Sequence, residues 1–475
     1  MQTLRISLIL TIFFISSIFA QNFNDALRLG MPGLGSNARA LGMGNSYISM
    51  SDDASAAYFN PAGLGLLKKM EFSGGLGFSS FNNDVTLFNN TINDNSNNTK
   101  LDRISFAFPF PTVRGSLVFG LSYHKSKDFN SIVKFDGFNN FNHSRIQYLN
   151  DRTWIPFDLY LTDDNPDNPI TPINGQLNQS GSIRNSGSIN NWTFSSAIEV
   201  HKNLFIGANL NIISGNFKYD YDYFEDDTRN LYQGETAPGD PRTIDFRSFY
   251  LNQLIDLDLS GWSAKIGFLY QLEDIARIGA TVQFPRTFTV KETFDVSGRS
   301  VFRDWSISLN PEDYSDKVQY DVITPLEFGA GASFNFKGLI ISAEATVIDY
   351  SQMEFDNADG IAPADIAQMN KDIEDFLGMK LNYNIGLEYN VPITGLRVRG
   401  GYFVQPSGFK DDPSDFNRQY LTAGLGYIVD GMIGIDLGYA YGWWKDFGDN
   451  YGTNLSRTSQ DIKVHNFMLT TTYRF

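Results

Sequence analysis

Several classes of protein are excluded by what this chain lacks. It has no cysteine among its 475 residues, which excludes disulfides and thiolate metal sites. Beyond residue 20 it has no run of about eighteen or more apolar residues, which excludes an ordinary transmembrane helix. None of its four histidines lies in a recognisable nucleophile motif; they are His124, His143, His201 and His465. We therefore expect no enzyme activity, no metal site and no cofactor.

Positive charge is also scarce. Lys and Arg number 37 against 53 Asp and Glu, which gives a net charge of -16 and a pI near 4.7. This balance argues against a nucleic-acid partner. Aromatic residues and glycine are abundant, with 40 Phe, 23 Tyr and 42 Gly, while the mean hydropathy is only -0.24. Such a composition is typical of many strands with tight turns and aromatic bands.

The first twenty residues predict a cleaved signal peptide. Arg5 gives a positive start, residues 6–15 form an apolar core, and residues 18–20 form a plausible cleavage site. A buried N-terminal strand is the alternative, but polarity rises abruptly at Gln21. Export from the cytoplasm is the prediction.

Period-two alternation dominates from about Met70 onward. Ile433, Ile435 and Leu437 share one face, whereas Gly434 and Asp436 share the other. The pattern predicts an all-β chain of about fourteen antiparallel strands, an even number as in bacterial barrels. The strands are predicted to begin near Met70, Asp102, Val113, Ser188, Leu204, Leu251, Ala276, Lys317, Leu339, Leu381, Leu396, Gln419, Met432 and Ile462.

A soluble β-sandwich would alternate as well, so two further features favour a transmembrane barrel. Tyr and Trp lie toward the ends of the apolar faces, as aromatic girdles require. Tight turns also alternate with long polar loops, predicted at residues 124–187, 220–250, 291–316 and 351–380. Residues 82–98 are expected to be a further polar loop. Pro285 and Pro325 interrupt regular strands and predict a bulge or, preferably, a strand end.

Residues 21–67 are predicted to form an N-terminal plug (hatch) in the lumen of a barrel formed by residues 68–475. The first part is rich in glycine and cannot sustain a lipid-facing band. Charges at inward positions of the strands need partners in a narrow lumen. These positions include Lys265, Glu327, Glu344, Glu388, Arg397, Arg399 and Asp436. Arg39, Asp52 and Asp53 are the candidate partners from the plug.

The sequence resembles the FadL/TodX family of outer-membrane transport proteins for long-chain fatty acids and other hydrophobic compounds. The resemblance covers nearly the whole chain and rests on residues 38–44, Asp52-Asp53-Ala54, Asn60-Pro61-Ala62, the strand count and the terminal Phe475. It implies location in the cell outer membrane of a Gram-negative bacterium and a plug anchored through Asn60, Pro61 and Ala62. It also implies passive uptake, in which a ligand is captured by loops, held near the plug and released sideways through the wall.

The candidate ligand contacts come from two places. The resemblance brings the mature N-terminus toward the pocket, which suggests Phe23, and Phe59 adjoins the plug motif. A helix is predicted over residues 363–377, and its apolar stripe consists of Ile366, Met369, Ile373, Phe376 and Leu377. The stripe either lines an external ligand site or only packs on neighbouring loops. An apolar pocket with few polar groups is expected.

Two other functions remain open at this stage. An enzyme assembled across loops is one, although no motif supports it. The other is a PorV-like barrel that docks substrates of a protein secretion system, because a plug motif of this kind does not separate docking from transport. The expected partners are a hydrophobic small molecule, outer-membrane lipid and, in the second case, a secretion component. An acidic segment at residues 163–168 is expected to be a solvated loop and not a Ca²⁺ site.

Overall fold

The computed structural model describes residues 23–163, 165, 168–452 and 454–475, without the side chain of Phe23. The predicted signal peptide lies outside these residues. These described residues form six α-helices: α1 Phe23–Gly30, α2 Ala38–Gly42, α3 Ala56–Phe59, α4 Arg145–Asn150, α5 Ile155–Asp158 and α6 Pro363–Phe376. No helix in the described part is long and apolar enough to cross a membrane.

The remaining elements are almost entirely strands. Their bounds are β1 Glu71–Leu87, β2 Asn90–Phe110, β3 Leu117–Asp128, β4 Ser131–Phe138, β5 Asn178–His201, β6 Leu204–Asp226, β7 Ser248–Leu272, β8 Ala276–Gln283, β9 Thr287–Val301, β10 Ser306–Ser308, β11 Ser315–Ile323, β12 Glu327–Phe336, β13 Leu339–Asp349, β14 Glu354–Asp359, β15 Met379–Asn390, β16 Leu396–Gln405, β17 Arg418–Val429, β18 Ile433–Asp449 and β19 Arg457–Arg474.

These strands form one closed antiparallel barrel. The pairs β3/β4, β8/β9 and β11/β12 each make one barrel strand, and β10 and β14 belong to loops, so fourteen barrel strands result. The ring closes where β1 pairs with β19, from Glu71 opposite Arg474 to Thr86 opposite Ser459. The predicted fold class and strand number are confirmed.

The outer wall carries the apolar face that the alternation predicted. Leu76, Leu469 and Leu437 lie side by side across β1, β19 and β18 and are 38–52% exposed. Aromatic side chains flank this band near the short turns, including Phe72, Tyr270, Phe336, Tyr389, Tyr427 and Tyr473, and toward the other end, including Trp192, Trp262 and Tyr383. An exposed apolar band between two aromatic belts is the surface that a lipid bilayer requires.

The loops differ from the prediction in one respect, because the strands continue beyond the membrane. Residues 82–98 form no loop: β1 and β2 stay paired up to a two-residue turn at Phe88 and Asn89, whose φ angles are 46° and 67°. Two successive positive φ angles are the backbone of a tight hairpin turn that matches the strand twist. The alternation does not reveal this hairpin because its β2 arm carries almost only polar residues, although Asn83, Val85 and Leu87 of the β1 arm are buried.

The proline prediction is also corrected. Pro285 and Pro325 do not mark the loop ends of strands but lie inside two neighbouring barrel strands, where β8 gives way to β9 and β11 to β12. The backbone N–H of Thr324 donates to the carbonyl of Arg286 at 3.0 Å, so the two breaks lie at the same height. Because proline has no N–H to donate, the ladder is interrupted at both positions.

We expect Leu437→Arg to destabilise the folded barrel by about 2–4 kcal/mol, because a cation then faces the middle of the hydrocarbon. The measurement is the urea midpoint for folding into lipid vesicles, read from heat-dependent gel mobility. Val113→Arg is the matched control, because Val113 is fully exposed in the turn between β2 and β3. An equal loss in both variants would contradict the lipid-facing assignment.

Candidate functional site

An ion-pair network centred on Arg39 joins the hatch, residues 23–67, to the barrel wall. The guanidinium of Arg39 donates through Nε and Nη2 to the two carboxylate oxygens of Glu388, at 2.9 Å each. It also donates to Asp52, which accepts a second hydrogen bond from Arg277 at 2.8 Å. Arg399 approaches Glu388 from the wall at 2.6 Å. Each charge of this network therefore has a partner of opposite sign, which offsets the cost of burying it.

A second anchor lies beside the seam that closes the barrel. One oxygen of the Glu71 carboxylate accepts from the backbone N–H of Ala54 at 2.7 Å, and the other pairs with Arg474 at 2.8 Å. The adjacent Asp53 accepts from the Tyr47 hydroxyl at 2.7 Å and stays within the hatch. Asp52 and Asp53 thus have different contacts, one with the wall and one within the hatch.

Asn60 fastens the hatch to the opposite wall. Its Nδ2 donates to the carbonyls of Ile48 and Phe268, at 2.9 and 3.0 Å. Its Oδ1 accepts from the backbone N–H of Ala62 at 3.2 Å, which begins a 3₁₀ helix over Pro61–Leu66. The tripeptide at residues 60–62 is therefore a turn that also contacts β7.

Small residues on the wall allow this close approach. A Cβ on Gly267 would lie 2.0 Å from Oδ1 of Asn60, and one on Gly207 would lie 2.4 Å from the backbone of Pro61 and Ala62. Inward glycines meet the hatch backbone on other strands too, namely Gly386, Gly401, Gly424 and Gly438. The hatch thus fits a track of glycines that side chains would block.

Between the hatch and the wall lies a cavity of about 160 Å³. Residues 29–35 of the hatch lie on one side, Ile48, Tyr58 and Phe59 on another, and inward side chains of the strands complete it. Many of these side chains are amides, hydroxyls or charged groups, including Asn209, Ser263, Lys265, Glu344 and Asn382. The expected apolar pocket with few polar groups is therefore wrong for this cavity.

Of the candidate ligand contacts, the structure brings Phe59 to this cavity. Met369 and Ile373 of α6 are buried in an apolar cluster with Leu27 and Leu29 of α1. Ile366 is partly buried against that cluster, and Phe376 is 52% exposed. The side chain of Phe23 lies outside the described residues. The six candidates thus fall into separate regions, and their ligand-binding role stays a prediction.

Further clusters close the outer end of the lumen. The described loop residues between β4 and β5, which carry α4 and α5, pack with the loops after β6 and β9 in an apolar cluster that includes Ile146, Leu159 and Phe246. Arg145 lies under this cluster, between the rings of Tyr221 and Tyr223 at 4.9 and 4.6 Å. No group of three or more acidic or histidine side chains in the described part could hold a metal ion.

Sequence reasoning missed several residues that build the site. Arg277, Glu71 and Arg474 anchor the hatch, and the inward amides Asn191 and Gln405 line the cavity. Their inward position could have been read from the alternation. Which inward residues meet the hatch and which line a cavity depends on the folded path of residues 23–67, which has no periodic signal.

We expect Arg39→Met to loosen the hatch, because the carboxylates of Asp52 and Glu388 lose their shared cation. Breaking a buried pair costs roughly 3–5 kcal/mol. Single-channel conductance in planar bilayers should rise and the thermal midpoint should fall. Lys445→Met is the control, since it removes the exposed 3.0 Å pair with Asp415, which is worth about 0–1 kcal/mol. Unchanged conductance in the Arg39 variant would show that the network does not hold the hatch.

Asp52 contributes one part of the pH dependence of the hatch. Burial alone would raise the pKa of its carboxyl, but Arg39 and Arg277 outweigh burial and lower the pKa well below its usual value. A lowered pKa in the folded state gives stability that is present above the unfolded pKa and lost as the pH falls through the folded value. Asp52 should therefore stay charged and paired between about pH 7 and about pH 5, and Asp52→Asn should change conductance by the same factor at both pH values. A factor that becomes smaller as the pH falls to about 5 would contradict this assignment.

Comparison with known proteins gives matches of structure only. No family model and no curated protein matches the sequence. The crystal structure of a Pseudomonas aeruginosa FadL homologue matches with a TM-score of 0.59 at 12% identity, over 94% of this chain and 100% of the other. The P. putida toluene transporter TodX gives 0.55 at 13%, over 93% and 99%.

The Ralstonia pickettii toluene transporter TbuX gives a TM-score of 0.52 at 18% identity, over 94% of this chain and 100% of the other. All three matches span the hatch and the barrel together, since they cover nearly the full length of both chains. The resemblance noted in the sequence is confirmed at the level of the fold. With its lipid-facing band, the chain is an outer-membrane barrel with the hatch-containing fold of the FadL/TodX transport proteins.

Proposed function

We propose that the chain carries out passive uptake of hydrophobic compounds, such as long-chain fatty acids, across the outer membrane. The observation that carries the proposal is a small cavity in the lumen, between the hatch and a cluster of packed outer loops. The hatch blocks one end through the Arg39 network, and packed loops cover the other. Such a lumen is suited to a ligand that binds inside the barrel before it is released. An open water-filled pore needs neither a hatch nor a cover of packed loops.

The fold supports the same proposal. The structures that match are a FadL homologue and proteins named as toluene transporters. In our proposal a hydrophobic compound is captured by the outer loops, where Ile366 and Phe376 of α6 are still accessible. It then displaces contacts between α1 and α6 and reaches the cavity beside Phe59.

We place the exit of the ligand in the barrel wall, at the two proline breaks. Gln283, Arg286 and Glu327 flank the breaks and also line the cavity. The wall is closed there by few hydrogen bonds, including that from Phe284 N–H to the Ala264 carbonyl at 2.9 Å. A short interval with a weakened ladder is the region where neighbouring strands separate most easily.

The uptake proposal is tested in cells that lack their own fatty-acid transporter. Expression of the chain should raise uptake of radiolabelled oleate several-fold over the empty vector. Phe376→Ser should lower this gain at least about threefold, because a large apolar contact is lost. Ile170→Ser is the control, since Ile170 is similarly exposed in another outer loop and lies outside the proposed route. No gain on expression, together with a co-purifying soluble protein, would favour secretion docking.

The proposed exit is tested with an engineered disulfide that holds neighbouring strands of the wall together. The Ala264→Cys, Phe284→Cys double variant joins β7 to the break, and the chain has no cysteine of its own to interfere. Oxidation should abolish uptake and reduction should restore it. The matched pair Phe268→Cys, Ala280→Cys joins the same barrel strands at a regular height, where those residues are register partners. Uptake that survives oxidation of the first pair would place the exit elsewhere.

A further inference from the structure

The inward side chains at the cavity change from polar to apolar along two strands. On β6 the inward series is Asn209, Asn211 and Ile213, and on β13 it is Glu344, Thr346 and Ile348. Ile213 and Ile348 belong to the apolar cluster that contains α1. On these two strands the lining is polar toward the short turns and apolar toward the long loops, whereas on β16 the order of Phe403 and Gln405 is the reverse. The lining from β6 and β13 is therefore suited to a ligand with one polar and one apolar end.

The charged side chains at the cavity are unevenly paired. Arg286 and Glu327 form an ion pair with each other, and Glu344 accepts hydrogen bonds from the hatch N–H groups of Tyr47 and Ile48 at 2.8 and 2.7 Å. Lys265 meets no carboxylate within 4.0 Å in the described part of the chain; its Nζ donates only to the Tyr58 carbonyl, at 2.8 Å.

Lys127 has a similar environment, since its Nζ donates to the carbonyls of Arg28 and Met31. The side-chain amino groups of Lys265 and Lys127 thus border the cavity with no carboxylate within 4.0 Å in the described part of the chain. A bound negative group would give such a lysine the partner that its charged form needs when it is buried.

Hydrogen-bonding groups at the cavity also lack protein partners. Oδ1 of Asn45 and Oδ1 of Asn191 accept no hydrogen bond from the described residues, although their side chains are only 8% and 9% exposed. Asn382 and Gln405 are 7% and 8% exposed, and no hydrogen bond from their amides to the described part is found. Buried amides of this kind need a partner, which a ligand or water can supply.

The volume of the cavity limits the size of the ligand that it can hold. A cavity of roughly 150 Å³ holds one benzene molecule, and the present cavity is about 160 Å³. The rings of Tyr58, Phe59 and Phe403 border it. From these observations we infer that the cavity binds a compact amphiphilic anion, of about the size of a single-ring carboxylate, with its negative group at Lys265 and its apolar end toward Ile213 and Ile348. This inference rests on the proposed uptake function and adds small amphiphilic anions to its substrates.

Binding is measured by calorimetry on the full chain in lipid nanodiscs. Benzoate, the neutral benzamide and toluene are the probes, because they share a ring and differ in charge and polarity. Benzoate should bind with saturation, and benzamide and toluene at least about tenfold more weakly. Equal affinity for benzoate and benzamide, or tighter binding of toluene, overturns the inference.

Amino-acid substitutions test whether the negative group of the ligand binds at Lys265. Lys265→Met should weaken benzoate binding at least about tenfold, and Lys265→Arg should retain it. Gln405→Leu should weaken it less and leave the hatch unaffected, because its amide holds no hatch group. Lys202→Met is the control, since Lys202 is an exposed lysine in the turn between β6 and its neighbour β5. Heat-dependent gel mobility confirms folding of each variant, and unchanged benzoate affinity in a folded Lys265→Met barrel overturns the assignment.

The oleate uptake assay separates this inference from the proposed function. Oleate uptake without benzoate binding overturns the anion site and leaves the uptake function standing. Benzoate binding that depends on Lys265, without uptake of any compound, supports the site and overturns the uptake function. Binding that depends on Lys265, together with uptake of benzoate that Lys265→Met reduces, supports both.

Discussion

The rest of the structure depends on one constraint: a backbone N–H or C=O in hydrocarbon has no water to bond and must find a partner in the protein. An open sheet edge would leave a row of unpaired groups, each costing several kcal/mol. The pairing of β1 with β19 removes that edge, and the terminal Phe475 exchanges two backbone hydrogen bonds with Met70 at 3.1 Å. The closed ring then determines which side chains face lipid and which face the lumen.

A closed ring of fourteen strands creates a narrow interior in which an unpaired charge is costly. The chain solves this by returning its own N-terminal segment into the lumen. Arg39 and Asp52 neutralise wall charges, while the wall glycines let the hatch backbone approach closely. The same contacts therefore stabilise the folded barrel and block its lumen, because the ion pairs that neutralise the buried charges also hold the hatch in place.

Much of the wall could be predicted, because an alternating strand has only two faces and lipid accepts only one of them. The outward row of Leu437 and Leu469 and the long α6 follow directly from the period of the sequence. The prediction was wrong where the membrane no longer constrains the chain. The β2 arm of the hairpin at residues 82–98 carries almost only polar residues and shows no alternation, although Val85 and Leu87 of the β1 arm are buried. Pro285 and Pro325 fit a strand end and a break inside a strand equally well, because proline removes a donor in both cases.

The sequence by itself determined the barrel, its approximate strand number, its lipid-facing side and the presence of a small-residue segment suited to the lumen. The reason is that all four depend on local periodicity or composition. Only the tertiary structure decided that Arg39 bridges Asp52 and Glu388, that α1 buries Met369 and Ile373, and that Lys265 borders a polar cavity. These contacts join residues far apart in the chain, and their partners are chosen by the ring closure and by the path of the hatch inside it.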